Sequence, residues 1–193
     1  MDANRIRPIG RRLRPLRAGT ARLASNRRLL AEVPEGIVLT SPAFAPNATM
    51  PARHTQDGAS LSPPLRWANL PPGTASLLLL IEDADIPFPV PLVHALAYGI
   101  DPALGGLAEG ALPERLRGPA PEGFAMGRNG LARTGWIAPT PPPGHGPHRY
   151  AFQLFALDAQ QHFDWPPGRG FALRTARPHM LGRGLLVGLY ERR

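Results

Sequence analysis

The chain has 193 residues, 43% of them hydrophobic, with a formal net charge of +8 and no cysteine. That length suits one well-buried core rather than two domains with linkers, and the missing thiols exclude disulfide frameworks, thiolate metal sites and cysteine nucleophiles. With 25 prolines and 21 glycines set among strong apolar runs, the chain is expected to form short strands and many fixed turns, because proline lacks a backbone donor.

Residues 1–35 read as an arginine-rich arm, its nine arginines set against Asp2, Glu32 and Glu35. Lysine is absent from the whole chain, so every fixed cation is a planar fork suited to carboxylate or phosphate. Ile9, Leu13, Leu16 and Leu23 recur at roughly helical spacing, interrupted by Pro8, Pro15 and Gly19, so two short helices are expected at best. Leu13, Leu16 and Leu23 should face inward, with the arginines bound to acidic or carbonyl groups of the same protein or a dimer mate. The arm holds no apolar signal-peptide core, and no run of about 18 apolar residues occurs in the chain, so a soluble, cytoplasmic protein is expected. Nine arginines could also neutralise nucleic-acid phosphates. The arm has no aromatic side chain to stack on bases, and packing against its own domain or across a homodimer is the preferred reading.

Residues 36–193 read as one mainly β domain. A first strand is expected over 37–40, and Leu70-Pro71-Pro72-Gly73 is a turn in which proline presets φ and glycine accepts a positive one. The run 77–81 is apolar on both faces and short for a helix, which predicts a central strand buried on both sides. It delivers Glu82, Asp83 and Asp85 at its end. A second core strand is expected over 90–98, carrying His94. The region 101–133 is loop-like, with a weak helical pattern over 111–116. A third strand over 149–157 starts just after His148, a short proline-interrupted helix falls within 171–182, and a last strand covers 185–190.

Two polar clusters lie where apolar strands end: Asp83-Ala84-Asp85-Ile86-Pro87 with His94 downstream, and the proline-dense stretch from Trp136 to Gly144 leading to His145, His148, Arg149 and Tyr150. Strand ends and their loops are where folds place functional groups, and a proline-rich wall loses little entropy on binding. A carboxylate beside an imidazole fixes its tautomer and frees the other ring nitrogen for a ligand. Read alone, the residues leave alternatives open. His94 fits a satisfied core histidine, Asp85 and Arg149 fit a structural ion pair, and Trp67, Trp136 and Tyr150 fit core or pocket wall. Two histidines and an aspartate could also serve acid/base chemistry or a two-histidine, one-carboxylate metal site, although the G-x-S-x-G element of common hydrolases is absent.

Four segments in order carry a resemblance: His54-Thr55-Gln56-Asp57-Gly58 through Ser62-Pro63-Pro64-Leu65-Arg66-Trp67; Asp83-Ala84-Asp85-Ile86-Pro87 with His94; Gly135-Trp136 through Pro141-Pro142-Pro143-Gly144; and Pro147-His148-Arg149-Tyr150-Ala151-Phe152 through Asp158. Over about 36–193 the chain resembles the bacterial, Raf-kinase-inhibitor-like branch of the phosphatidylethanolamine-binding protein family. The resemblance implies an antiparallel fold of one large and one smaller β-sheet with short C-terminal helices. It also implies a non-enzymatic protein with a small preformed pocket for phosphate-type anions or phospholipid head groups, without a cofactor, and a regulator of kinases or other signalling partners. By position, Asp83, His94 and His148 would form the floor and anion contacts, and Pro87, Trp136, Pro141 and Tyr150 the walls, with Asp85 and Arg149 in support. Backbone amides around 138–140 would complete an anion nest. Ala84 stands where the family usually has proline, Ala95 where many bacterial members have tryptophan, and Ala138 and Thr140 in a stretch often richer in glycine, where a Cβ narrows the space.

Overall fold

In the computed structural model, which describes residues 3–114 and 121–192, the chain opens with helix α1 (Ala3–Leu13) and three 3-10 turns. It continues through β1 (Val38–Thr40), β2 (Leu65–Ala68), β3 (Ser76–Asp83), β4 (Leu92–Ile100), β5 (Gly106–Leu107), β6 (Ala125–Met126), β7 (His148–Leu157), α2 (Arg169–Ala176) and β8 (Met180–Tyr190). The strands form a small sheet in the order β1-β2-β5 and a large one in the order β6-β4-β3-β7-β8, with antiparallel pairing between the strands of each. This is the mainly β architecture expected from the sequence. No described helix is long and apolar enough to cross a membrane.

β3 lies between β4 and β7, and its five consecutive aliphatic residues follow from what covers each face. Side chains alternate along a strand. Leu77, Leu79 and Ile81 face the small sheet and pack with Leu39, Leu65 and Trp67. Leu78 and Leu80 face the other way, where Ala172, Leu173 and Ala176 of α2 and Ala24 and Leu30 of the arm cover them. Burying each such leucine contributes about 2 kcal/mol, so the arm supplies part of a layer of the core.

Several elements differ from the sequence-based expectations. β4 starts at Leu92 instead of 90, because Pro89 and Pro91 have no donor for a ladder, and Val90 stays exposed. β8 starts five residues before the expected 185. Its glycines disguise the strand, yet they let other chain segments close in: a Cβ on Gly182 would lie 2.8 Å from Pro71 Cγ, and one on Gly184 2.5 Å from the Ile37 oxygen. The helix expected within 171–182 is α2 followed by a 3-10 turn, Arg177–His179, that contains Pro178. β5 and β6 lie inside the expected loop, residues 111–114 are not helical, and the rest of the helical pattern lies outside the described residues. In the arm one α-helix crosses Pro8, where two short helices were expected. Leu23 is buried and Leu13 half-buried, but Leu16 is 54% exposed. Its carbonyl, not its side chain, faces the domain.

Candidate functional site

Asp83, the last residue of β3, pairs in register with Tyr150 of β7 and with Leu92 of β4. Opposed residues share a face, so Asp83, Tyr150 and His148, two residues before it, point toward the small-sheet side. His94, two residues after Leu92, joins them on the same face, and a bulge follows Val93. β4 pairs Ala95 with Ile81 and Val93 with Glu82, which leaves His94 as the extra residue. The His94 ring packs against Trp136 and Tyr150 at centroid distances of 5.8 and 5.1 Å.

The His94 Nδ1–H donates to the Ile137 carbonyl at 2.5 Å, and the Ile137 N–H returns a bond to the His94 carbonyl. Its Nε2 is buried and has no hydrogen-bond partner among the described residues. The same holds for the Tyr150 hydroxyl. Burial pushes the His94 pKa below the ordinary imidazole value, with the Asp83 charge pulling the other way. Burial, followed by the charges of Asp83 and Asp85, pushes the Tyr150 phenol well up. At neutral pH the site therefore holds a bare imidazole lone pair beside a phenol that keeps its proton.

His148 is held differently. Its Nδ1 lies 2.7 Å from Asp83 Oδ2 and its Nε2 2.8 Å from His145 Nδ1. Both ring nitrogens are engaged inside the protein, so neither is left to face a ligand as the sequence reading supposed. His145 in turn directs Nε2 to the arm, 2.9 Å from the Leu13 carbonyl and 3.3 Å from that of Leu16. Burial, then the neighbouring His148, lowers the His145 pKa.

Asp85 forms the structural ion pair with Arg149, at 2.5 and 2.7 Å, and also accepts the Arg149 backbone N–H. Arg17 of the arm adds a third cationic contact at 2.8 Å. Burial raises the Asp85 pKa, but the bonds from Arg149 and Arg17 outweigh it and hold the carboxyl at about 2. Ala84 donates its N–H to the Arg149 carbonyl, a bond that a proline at this position could not make.

Asp83, His94 and His148 border a cavity of about 190 Å³. Pro87 and Pro141 line it with them, together with Ala138 and Thr140. Trp136 and Tyr150 stand behind His94, fully buried, instead of forming its walls. Gln56, Ile86, Phe88, Leu92, Ile137 and Pro142 also line it and were missed as site residues. The HTQDG segment was the one available signal for Gln56; the aliphatic residues carried none. The Thr140 hydroxyl is turned to the Ala138 carbonyl, not to a histidine that could activate it. Among the described residues no group of three or more histidine or acidic side chains is arranged to hold a metal ion, since His148 spends both nitrogens on Asp83 and His145.

The family model for phosphatidylethanolamine-binding protein matches residues 40–191. A UPF0098 protein of Methanothermobacter thermautotrophicus is 36% identical over 154 residues, covering 80% of this chain and 98% of that one. A UPF0098 protein of Mycobacterium tuberculosis is 35% identical over 170 residues, 85% of this chain and 76% of its own. Among solved structures, a phosphatidylethanolamine-binding protein homolog from Chlamydia trachomatis superposes with a TM-score of 0.73 at 28% identity, covering 82% of this chain and 99% of that chain. A protein of E. coli shares the fold with a TM-score of 0.73 at 22% identity over 81% of this chain and 99% of its own.

Proposed function

This chain belongs to the phosphatidylethanolamine-binding protein family, and on that premise we propose that it is a non-enzymatic binding protein whose Asp83, His94 and His148 pocket takes a phosphate-type anion. The observation that carries the reading is a buried polar atom without a partner on a residue that lines the cavity, His94 Nε2. Leaving such a group unpaired costs about 1–3 kcal/mol, and native proteins retain one where something else pairs with it. A phosphate offers that partner: a proton that is shared with His94 Nε2. Pro87, Pro141 and Pro142 hold the walls in place before the ligand arrives.

An open apolar groove of about 620 Å³ adjoins the pocket and shares Ile86, Phe88 and Leu92 with it. This favours a phosphate that bears an apolar tail, such as a phospholipid head group, over a bare phosphomonoester. Regulation of a kinase or other signalling partner would follow if the phosphate belonged to a phosphorylated side chain, in which case the groove would take that side chain's apolar neighbours.

Proton bookkeeping sets the test. Whether the shared proton comes from imidazolium or from monoprotonated phosphate, the complex holds one proton more than neutral His94 and phosphate dianion. Bound anion raises the His94 pKa from its lowered free value, so affinity is fully present below the free value and is lost as pH rises through the liganded one. Calorimetric titration with a phosphomonoester should show proton uptake and tighter binding at pH 6 than at pH 8. His94→Ala should cost on the order of 1.5–3 kcal/mol of binding. Equal affinity at the two pH values, or wild-type affinity in His94→Ala with its folding intact, would overturn the reading.

A further inference from the structure

A carboxylate on the floor of an anion pocket is an electrostatic contradiction, because Asp83 would repel the ligand that the histidines attract. We infer that the N-terminal arm resolves it: the carbonyls of Leu13 and Leu16, acting through His145, hold an extra proton on the Asp83–His148–His145 unit and so cancel the floor's negative charge. The inference rests on the anion reading above and names how that site is set.

The unit makes three contacts in series: Asp83 Oδ2 with His148 Nδ1 at 2.7 Å, His148 Nε2 with His145 Nδ1 at 2.8 Å, and His145 Nε2 with the Leu13 carbonyl at 2.9 Å. A carbonyl can only accept, so His145 Nε2 must carry a proton. One more lies between the rings, and a third lies between His148 and Asp83. Two neutral imidazoles and a carboxylate hold only two, so the full chain of bonds needs three and has no net charge. The natural arrangement keeps His145 neutral with its proton on Nε2, and His148 doubly protonated against Asp83. Burial of His145 disfavours charge on that ring, which agrees with this placement. The other charged and titratable groups nearby are committed elsewhere or neutral: Arg17 and Arg149 are paired with Asp85, Arg14 donates to the Gly144 carbonyl, and His94 and Tyr150 are neutral at pH 7 by the shifts above.

The arm is built to stay there. Gly10 lies against the loop before β7 so closely that a Cβ would collide with the Pro143 oxygen and lie 3.0 Å from the His145 nitrogen. On the other side of the joint, a Cβ on Gly144 would lie 2.8 Å from the Arg7 oxygen. Arg17 also donates to the His145 and Pro147 carbonyls. These arm residues precede the family-matched span of 40–191, so the device lies outside the part of the chain that the family model describes.

The test reads the ring nitrogens of His145 and His148 by ¹⁵N NMR at about pH 7 and, separately, the affinity for inorganic phosphate by calorimetry. In the wild type His148 should carry protons on both nitrogens and His145 on Nε2 alone. Gly10→Val, which pushes α1 off the loop, and His145→Phe should each leave His148 singly protonated and weaken phosphate about tenfold, the equivalent of about 1.4 kcal/mol. His145→Gln, whose amide offers one acceptor and one donor, should restore most of the affinity. A wild-type pair with only two ring protons would overturn the inference, as would unchanged phosphate affinity in both Gly10→Val and His145→Phe. A wild type with the three protons that ignores phosphate would instead overturn the pocket reading, because the ring protons are read without ligand.

Discussion

Asp85 shows how much one buried side chain can depend on its neighbours. It is fully buried, which alone would make its charge costly, but three cationic hydrogen bonds from Arg149 and Arg17 hold its pKa at about 2 against an ordinary 3.8. A carboxyl depressed in the folded state contributes stability that is present above its unfolded value and is lost as pH falls through the folded one. The contribution is on the order of 2 kcal/mol and should disappear between about pH 4 and pH 2. Urea denaturation of the wild type and Asp85→Asn across that range should therefore converge at the acid end, with Asp85→Asn less stable at pH 6. His94 makes the complementary point. Its place in the pocket follows from strand alternation, two residues after Leu92, which pairs with Asp83, and a one-residue slip of that register would turn it to the other face.

The arm behaves as two pieces with different roles. Its later part, through Ala24 and Leu30, is buried to 0% and 1% exposure and seals the sheet face that α2 leaves open. It is fastened there by buried polar contacts: the Ala24 N–H donates to Glu82 Oε2 and the Ser25 N–H to Gln153 Oε1. The earlier part, α1, touches the domain at the loop before β7. Leu30→Ala should thus cost about 2–5 kcal/mol of folding stability, as other large-to-small core changes do, and leave phosphate affinity nearly unaltered. Gly10→Val should do the reverse. Chemical denaturation alongside calorimetry separates the two, and equal effects on both properties in both variants would mean that the pieces act as one.

Taken whole, the molecule stacks the small sheet, the large sheet, and a layer shared by α2 and the arm. A fragment spanning 36–193 keeps every strand yet bares Leu78, Leu80 and Phe155, which the arm helps to cover. Contiguous apolar surface of that kind drives association. The fragment should aggregate or bind a hydrophobic dye at temperatures where the full chain is monodisperse by light scattering; a fragment with unchanged melting temperature and no dye binding would show that 36–193 is self-sufficient.

What the amino-acid order settled by itself was the pattern of local covalent and apolar constraints. An aliphatic run at 77–81 too short for a helix had to be a doubly covered strand, and the prolines at 87, 141 and 142 had to be rigid loop. Asp83, His94 and His148 stood out because polar groups at the ends of apolar strands need partners. Those partners were decided by tertiary packing alone, since hydrogen-bond geometry depends on distances between residues far apart in sequence. His145 meets carbonyls 129 and 132 positions away, and neither carbonyl has any side-chain signature to read. Trp136 and Tyr150 are backing and not wall for the same reason: an aromatic residue's chemistry is written in the sequence, but which side of a histidine it packs against is set by strand register.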